Sequence, residues 1–165
     1  MNISITILTY NSEKTIETTL SSLQGFSDIV VLDSGSQDKT AEICKKFPQV
    51  RFLHHPFIGF GPMHNRATSL AKYDWILSLD SDESLKPSLK KEIFDISLDP
   101  TAVYSIEREN YYRKKHIQGC GWSPDRVVRL YNRTQTSFSN ALVHESVVTN
   151  GLKVIFLKER ILHTP

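Results

Sequence analysis

Ile29-Val30-Val31-Leu32-Asp33-Ser34-Gly35-Ser36 is the stretch that decides the fold. Four apolar residues, three of them β-branched, run without a break into a polar turn. A strand with one wet face alternates in polarity, whereas an unbroken run fits a strand covered on both faces, as in parallel sheets layered with helices. Toward the N-terminus, Ile3, Ile5 and Ile7 alternate with polar residues and Leu8 follows, which reads as the first strand. Asn11 or Ser12 can cap a helix with an inward stripe of Ile16, Leu20 and Leu23, and Gly25 supplies its stop. Beyond Ser36, a second helix turns Ile43, Cys44 and Phe47 inward and ends at Pro48. Val50–Leu53 is a third strand. After a turn at Gly59-Phe60-Gly61-Pro62, a third helix aligns Met63, Ala67, Leu70 and Ala71. Trp75–Leu79 is a fourth strand that runs into Asp80. The order βαβαβαβ predicts right-handed crossovers and a mainly parallel central sheet flanked by helices.

Residue 84 onward has a different character. A short helix begins near Pro87 with Leu85, Leu89, Ile93 and Ile96. Strand-like pieces then stand at Ala102–Arg108, Val127–Tyr131, Ala141–Val148 and Val154–Leu157. With no linker, repeat or low-complexity stretch, residues 1–165 read as a single domain, its second half a mixed-sheet elaboration of the first.

The chain of 165 residues carries 20 Lys and Arg against 18 Asp and Glu. A net charge of +2 argues against a dedicated nucleic-acid binder. Two cysteines, Cys44 and Cys120, make a disulfide framework or a cysteine-built zinc site a poor reading and favour a reducing, cytoplasmic setting. No apolar run approaches the roughly 20 residues of a transmembrane helix. Met1–Leu8 lacks the basic start and long apolar core of a signal peptide.

The chemistry is written where strands end. Asp33 follows Leu32 and Asp80 follows Leu79, and ligands of open parallel sheets bind beyond the carboxyl ends of strands. Asp33, Ser34 and Gly35 can bond a nucleotide, although the same residues also build turns and caps. Asp80-Ser81-Asp82-Glu83 places three acids in four positions directly after a buried strand. Such acids repel unless solvent, donors or a cation relieve them, and hard carboxylate oxygens suit Mg²⁺ or Mn²⁺ shared with substrate phosphates. A solvated turn is the plain alternative. Asn65 and Arg66, early in the third helix, can face an anion. His54 and His55 alternate in an extended segment and are read as structural. Residues 107–133 hold seven basic residues against three acids, with Tyr111, Tyr112 and Trp122 interleaved. That composition suits an anionic acceptor or peripheral contact with an anionic membrane, and equally a solvated loop.

These blocks resemble the inverting family 2 glycosyltransferases of GT-A fold, a Rossmann-like α/β architecture. Ile3–Ser12 resembles the family's opening strand, Val30–Thr40 its nucleotide segment, and Gly59–Arg66 with Leu79–Glu83 its central blocks. Gly121–Arg126, Arg129–Tyr131, Val143–Glu145 and Leu162–His163 are similar to later blocks of the lipopolysaccharide-core β-1,4-glucosyltransferase group. The resemblance implies a donor half at residues 1–83 and an acceptor-side half at 84–165, without the extension usual in that group.

It also implies a UDP-sugar donor held by Tyr10, Glu13, Asp33, Ser34, Gly35, Asn65 and Arg66. Asp80 would lie nearer the ribose or the ion's water shell, and Asp82 would be the principal metal ligand with His163. The base that activates an acceptor hydroxyl would be Glu145, with Asp125 the second candidate. A glycan or lipid-linked saccharide would be the acceptor. A non-catalytic module binding nucleotide-sugar or glycan on the same scaffold is the competing reading.

Overall fold

The computed structural model describes residues 2–112, 115–116 and 125–165. Its elements run β1 (Ile3–Thr9), α1 (Ile16–Ser21), β2 (Asp28–Asp33), α2 (Thr40–Cys44), β3 (Val50–His54), α3 (Phe60–Ser69), β4 (Trp75–Asp80), β5 (Glu83–Leu85), α4 (Pro87–Asp95), β6 (Ala102–Tyr112), β7 (Lys115–His116), β8 (Asp125–Asn132) and β9 (Lys153–His163). One sheet runs through both halves in the order β3-β2-β1-β4-β8-β6-β9-β5, with β7 paired to β6. β3, β2, β1 and β4 are parallel. β8 then joins β4 antiparallel, β6 joins β8 antiparallel, and β9 runs parallel to β6.

The continuous apolar run of β2 has the reason expected of it. Ile29 and Val31 enter one core with Ile3, Ile5, Ile7, Leu20 and Ile93. Val30 and Leu32 pack on the opposite face against Met63 and Ala67 of α3. Alternation sends successive side chains to opposite faces, and both faces are dry. The helix stripe Ile16, Leu20 and Leu23 is fully buried.

Several local expectations need correction. Neither Asn11 nor Ser12 caps α1 with its side chain, and Thr15 precedes the first helical residue. Asn11 adopts a left-handed φ of 50° and its amide oxygen accepts from Gln37 N at 2.8 Å. α2 ends at Cys44, well before Pro48. α3 starts at Phe60, so Gly61 and Pro62 lie inside its first turn. β9 extends to His163, beyond the apolar segment Val154–Leu157. Ala141–Val148 is a loop with one isolated bridge, Phe138 to Val147. The left-handed φ of 56° at His144 breaks the extended path that strand alternation needs.

Candidate active site

A cleft of about 1020 Å³ opens beyond the carboxyl ends of β1 and β4. Tyr10, Ser34, Asp80, Asp82 and Glu145 line it, together with His64, which the sequence reading did not single out. An adjoining cavity of about 700 Å³ is lined by Glu13, Asp38 and Asp82. Asp80, His64 and Glu145 also border a smaller cavity of about 380 Å³. These three side chains therefore stand where two cavities meet.

Asp33 behaves differently from the sequence expectation. Its carboxylate accepts from Thr9 Oγ1 at 2.7 Å, Ser36 Oγ at 2.6 Å, Gly35 N at 2.9 Å and Ser36 N at 2.8 Å. Burial raises its pKa, but these donors outweigh burial and hold the carboxyl below the ordinary range. Only 3% exposed, it organises its own loop. Gly35 adopts φ 108° within that loop, a conformation other L-residues rarely take. Glu13 is tied to the same region, accepting from Lys39 N at 3.1 Å.

The acidic run is relieved from within the protein. Arg129 of β8 donates to both oxygens of Glu83 at 2.8 and 3.2 Å, to Asp80 at 3.3 Å and to Ser78 O at 3.2 Å. Arg108 reaches Glu83 at 3.5 Å and Asp80 at 3.8 Å. Burial tends to raise Asp80, but Arg129 and Arg108 keep its carboxyl below the usual range. Arg129, Glu83 and Arg108 were not picked out as site residues, although Arg129 left a trace: it is a charge inside the apolar segment Val127–Tyr131.

That network leaves Asp82 with a different partner. Its Oδ2 lies 3.3 Å from His163 Nε2. The other ring nitrogen, Nδ1, lies 2.6 Å from Asn110 Oδ1. Asn110 has its amide nitrogen on Asp125, which fixes which end is oxygen. His163 thus stands between two acceptors, and a proton or a cation must lie between Nε2 and Asp82. The Asp82 hydrogen bond raises the His163 pKa. One carboxylate and one imidazole fit a divalent ion whose other ligands come from diphosphate and water. Among the described residues no group of three or more His, Cys, Asp or Glu forms a self-sufficient metal cage.

The two base candidates are placed differently. Glu145 faces the cleft, its Oε1 3.2 Å from His64 Nε2. Burial depresses His64, against the pull of Glu145, and favours a neutral ring. Asp125 is engaged by Arg108 Nε at 2.9 Å and Asn110 Nδ2 at 3.1 Å. Residues 121–124, Trp122 among them, lie outside the described residues.

Asn65 and Arg66 do not join the cleft. Asn65 Nδ2 donates to Phe138 O and its Oδ1 accepts from Phe138 N, both at 3.0 Å. Arg66 is exposed in the last turn of α3. The basic surface read from residues 107–133 is also reduced: Arg108 and Arg129 pair inward, Arg126 stacks over Phe156 at 4.5 Å, and Arg133 bonds Asp74, Thr68 O and Ala71 O.

The sequence matches Glycosyl transferase family 2 over residues 4–150. The chain belongs to that family. An uncharacterized glycosyltransferase of Rickettsia typhi is 31% identical over 156 residues, covering 90% of this chain and 53% of the relative. The lipopolysaccharide core biosynthesis glycosyltransferase LpsC of Rhizobium meliloti is 26% identical, with 88% of this chain and 56% of that protein covered. Against these two relatives the family 2 chain spans a little over half their length. The crystal structure of S. aureus TarS 1-349 in complex with UDP-GlcNAc is 21% identical, with a TM-score of 0.67, and covers 100% of this chain and 59% of that one. A Mycobacterium tuberculosis glucosyl-3-phosphoglycerate synthase in complex with Mn²⁺, UDP and glucosyl-3-phosphoglycerate is 22% identical, with a TM-score of 0.51, and covers 68% of this chain and 44% of that one. These likenesses establish a GT-A-like nucleotide-sugar transferase fold.

Proposed function

We propose that this family 2 chain forms the donor site of an inverting glycosyltransferase, which moves a hexose from a UDP-sugar to a saccharide acceptor. The observation that carries this reading is the meeting of Asp80 and Asp82 with Glu145 around one cleft beyond β1 and β4. The UDP and UDP-GlcNAc complexes of the structural relatives support the donor class.

Tyr10, 62% exposed at the cleft, would cover the base, with Ser34 and Asp80, which line the same cleft, toward the ribose. Asp82 and His163 are the residues that would hold Mg²⁺ or Mn²⁺. Such an ion neutralises negative charge developing on a departing diphosphate. Glu145 accepts the proton of the acceptor hydroxyl as its oxygen bonds to the anomeric carbon. The bond from that carbon to the diphosphate oxygen breaks, UDP leaves, and in-line attack inverts the anomeric centre. Holding both partners in that line is the larger task of the two cavities. No enzyme nucleophile takes part.

Phe57, Ile58, Phe60, Leu142 and Val143 are all exposed, and three of them line the cleft. This apolar lip favours an acceptor carried by a lipid or presented at a membrane surface, such as a lipopolysaccharide-core saccharide. No helix among the described residues is long and apolar enough to cross a membrane.

The test is acceptor-dependent UDP release from a panel of UDP-sugars with Mn²⁺ or Mg²⁺, using oligosaccharide and lipid-linked acceptors. Turnover that disappears in Asp82→Ala supports transfer. Donor binding without turnover across the panel supports a non-catalytic binding module.

A further inference from the structure

A row of polar side chains crosses three neighbouring strands and reaches the residue before a fourth. In sheet order these are β8, β6, β9 and β5. Asp125 Oδ2 accepts from Asn110 Nδ2 at 3.1 Å. Asn110 Oδ1 stands 2.6 Å from His163 Nδ1, and His163 Nε2 stands 3.3 Å from Asp82 Oδ2. Strand register produces the row. Arg108 lies opposite Asp125, Asn110 opposite His163, and Glu83, next to Asp82, opposite His163 from the other side.

We infer that Asn110 is a positioning residue for the divalent-cation site, holding His163 by Nδ1 so that Nε2 faces the ion beside Asp82, with Asp125 setting the direction of the Asn110 amide. This rests on the metal reading proposed above. The amide is nearly symmetric in shape, so its direction must come from its neighbours. A carboxylate only accepts, so Asp125 takes the Nδ2 end and leaves Oδ1 for the ring. An oxygen there accepts from Nδ1–H, which leaves Nε2 with its lone pair for a cation. Metal-binding histidines are oriented in this way by a partner on the second nitrogen. Asn110 is 3% exposed, so bulk water does not replace it. Buried amides that lose their partners are costly, and this row uses both ends of this one.

Asp125 thereby acquires a role distinct from base catalysis: it acts on the ion through two other side chains. Arg108 steadies it, donating from Nε to the same Oδ2 at 2.9 Å.

The experiment uses the full chain with UDP and Mn²⁺ as probes. Mn²⁺ affinity is read by electron paramagnetic resonance, and imidazole coordination by nitrogen modulation of the Mn²⁺ spin echo. Asn110→Leu should weaken Mn²⁺ binding about tenfold to a hundredfold and remove the nitrogen modulation. The double variant Asn110→Asp/Asp125→Asn reverses donor and acceptor between those two positions and still offers His163 an oxygen. It should restore both signals, which a loss of packing alone would not. If Asn110→Leu fails to fold, the double variant against Asp125→Leu decides the question. Unchanged affinity and modulation in Asn110→Leu, or failure of the double variant to restore them, overturns the inference. The metal reading fails separately, in a comparison without Asn110 variants: wild type and Asp82→Ala would bind Mn²⁺ alike, or neither would bind it. That result removes the inference as well.

Discussion

Single residues carry the contrast between loop-building and ligand-facing acids. Asp28 is the clearest loop builder: it accepts from Ser4 Oγ at 2.6 Å, Lys72 N at 2.7 Å and Arg51 Nη2 at 2.8 Å. Burial raises its pKa, and these three donors more than reverse that, leaving it lowered. A depressed folded pKa means stabilisation that is present above the unfolded value, near 4, and lost as pH falls through the folded value. Asp28→Ala should cost about 2–3 kcal/mol at neutral pH, because buried donors lose their acceptor. Urea midpoints of wild type and variant should converge as the pH is taken below about 4. Glu145 belongs to the other class. Glu145→Gln should reduce transfer by about 10²-fold or more while UDP-sugar binding, followed by calorimetry, stays near wild type. A larger loss in Asp125→Asn, with Mn²⁺ binding intact, would instead make Asp125 the base.

At the scale of elements, α3 and the loop 138–147 form one device. Gly61 N donates to Ala141 O at 3.0 Å and Phe60 N to Leu142 O at 2.9 Å. Asn65 brackets Phe138, whose ring stacks on His64 at 4.1 Å. The first turns of a helix have free N–H groups, and here the loop's carbonyls take them. A Cβ on Gly61 would meet Ser139 O at 2.1 Å and Ala141 O at 2.6 Å, both backbone atoms. Gly61→Ala should therefore displace the loop and cost about 1–3 kcal/mol. Faster proteolysis within residues 139–146, with a larger fall in transfer than in UDP binding, would report the displaced Glu145. None of this was visible in the apolar pattern. Ala141–Val148 has the composition of a strand, but its carbonyls bond to α3 and its path breaks at the left-handed His144.

At the scale of the molecule, Arg129 joins the parallel half of the sheet to the mixed half. It stands on β8 and bonds Ser78 O and Asp80 of β4 and Glu83 of β5. Arg129→Met would leave Glu83, with no exposed surface, without its closest cation. The expected cost is about 3–5 kcal/mol in chemical denaturation. Adding Glu83→Gln should recover part of that loss, because the uncompensated charge is then gone. Two additive effects would show that the two residues do not act as a pair.

The sequence by itself was enough for the parallel half: the run Ile29–Leu32, the alternation of Ile3, Ile5 and Ile7, and the acids that end β2 and β4. Those signals are local, because side-chain periodicity and strand ends are properties of short segments. The tertiary structure alone decided which acids face the cleft. Asp33 and Asp80 both end a strand, yet Asp33 is closed off by donors from its own turn and from Thr9, while Asp80 lines the cavity. It also brought His64 to Glu145 and Asn110 to His163, pairs 81 and 53 residues apart. Such contacts follow from strand order, register and the docking of a loop on a helix, and the repeat of a short sequence segment carries no information about them.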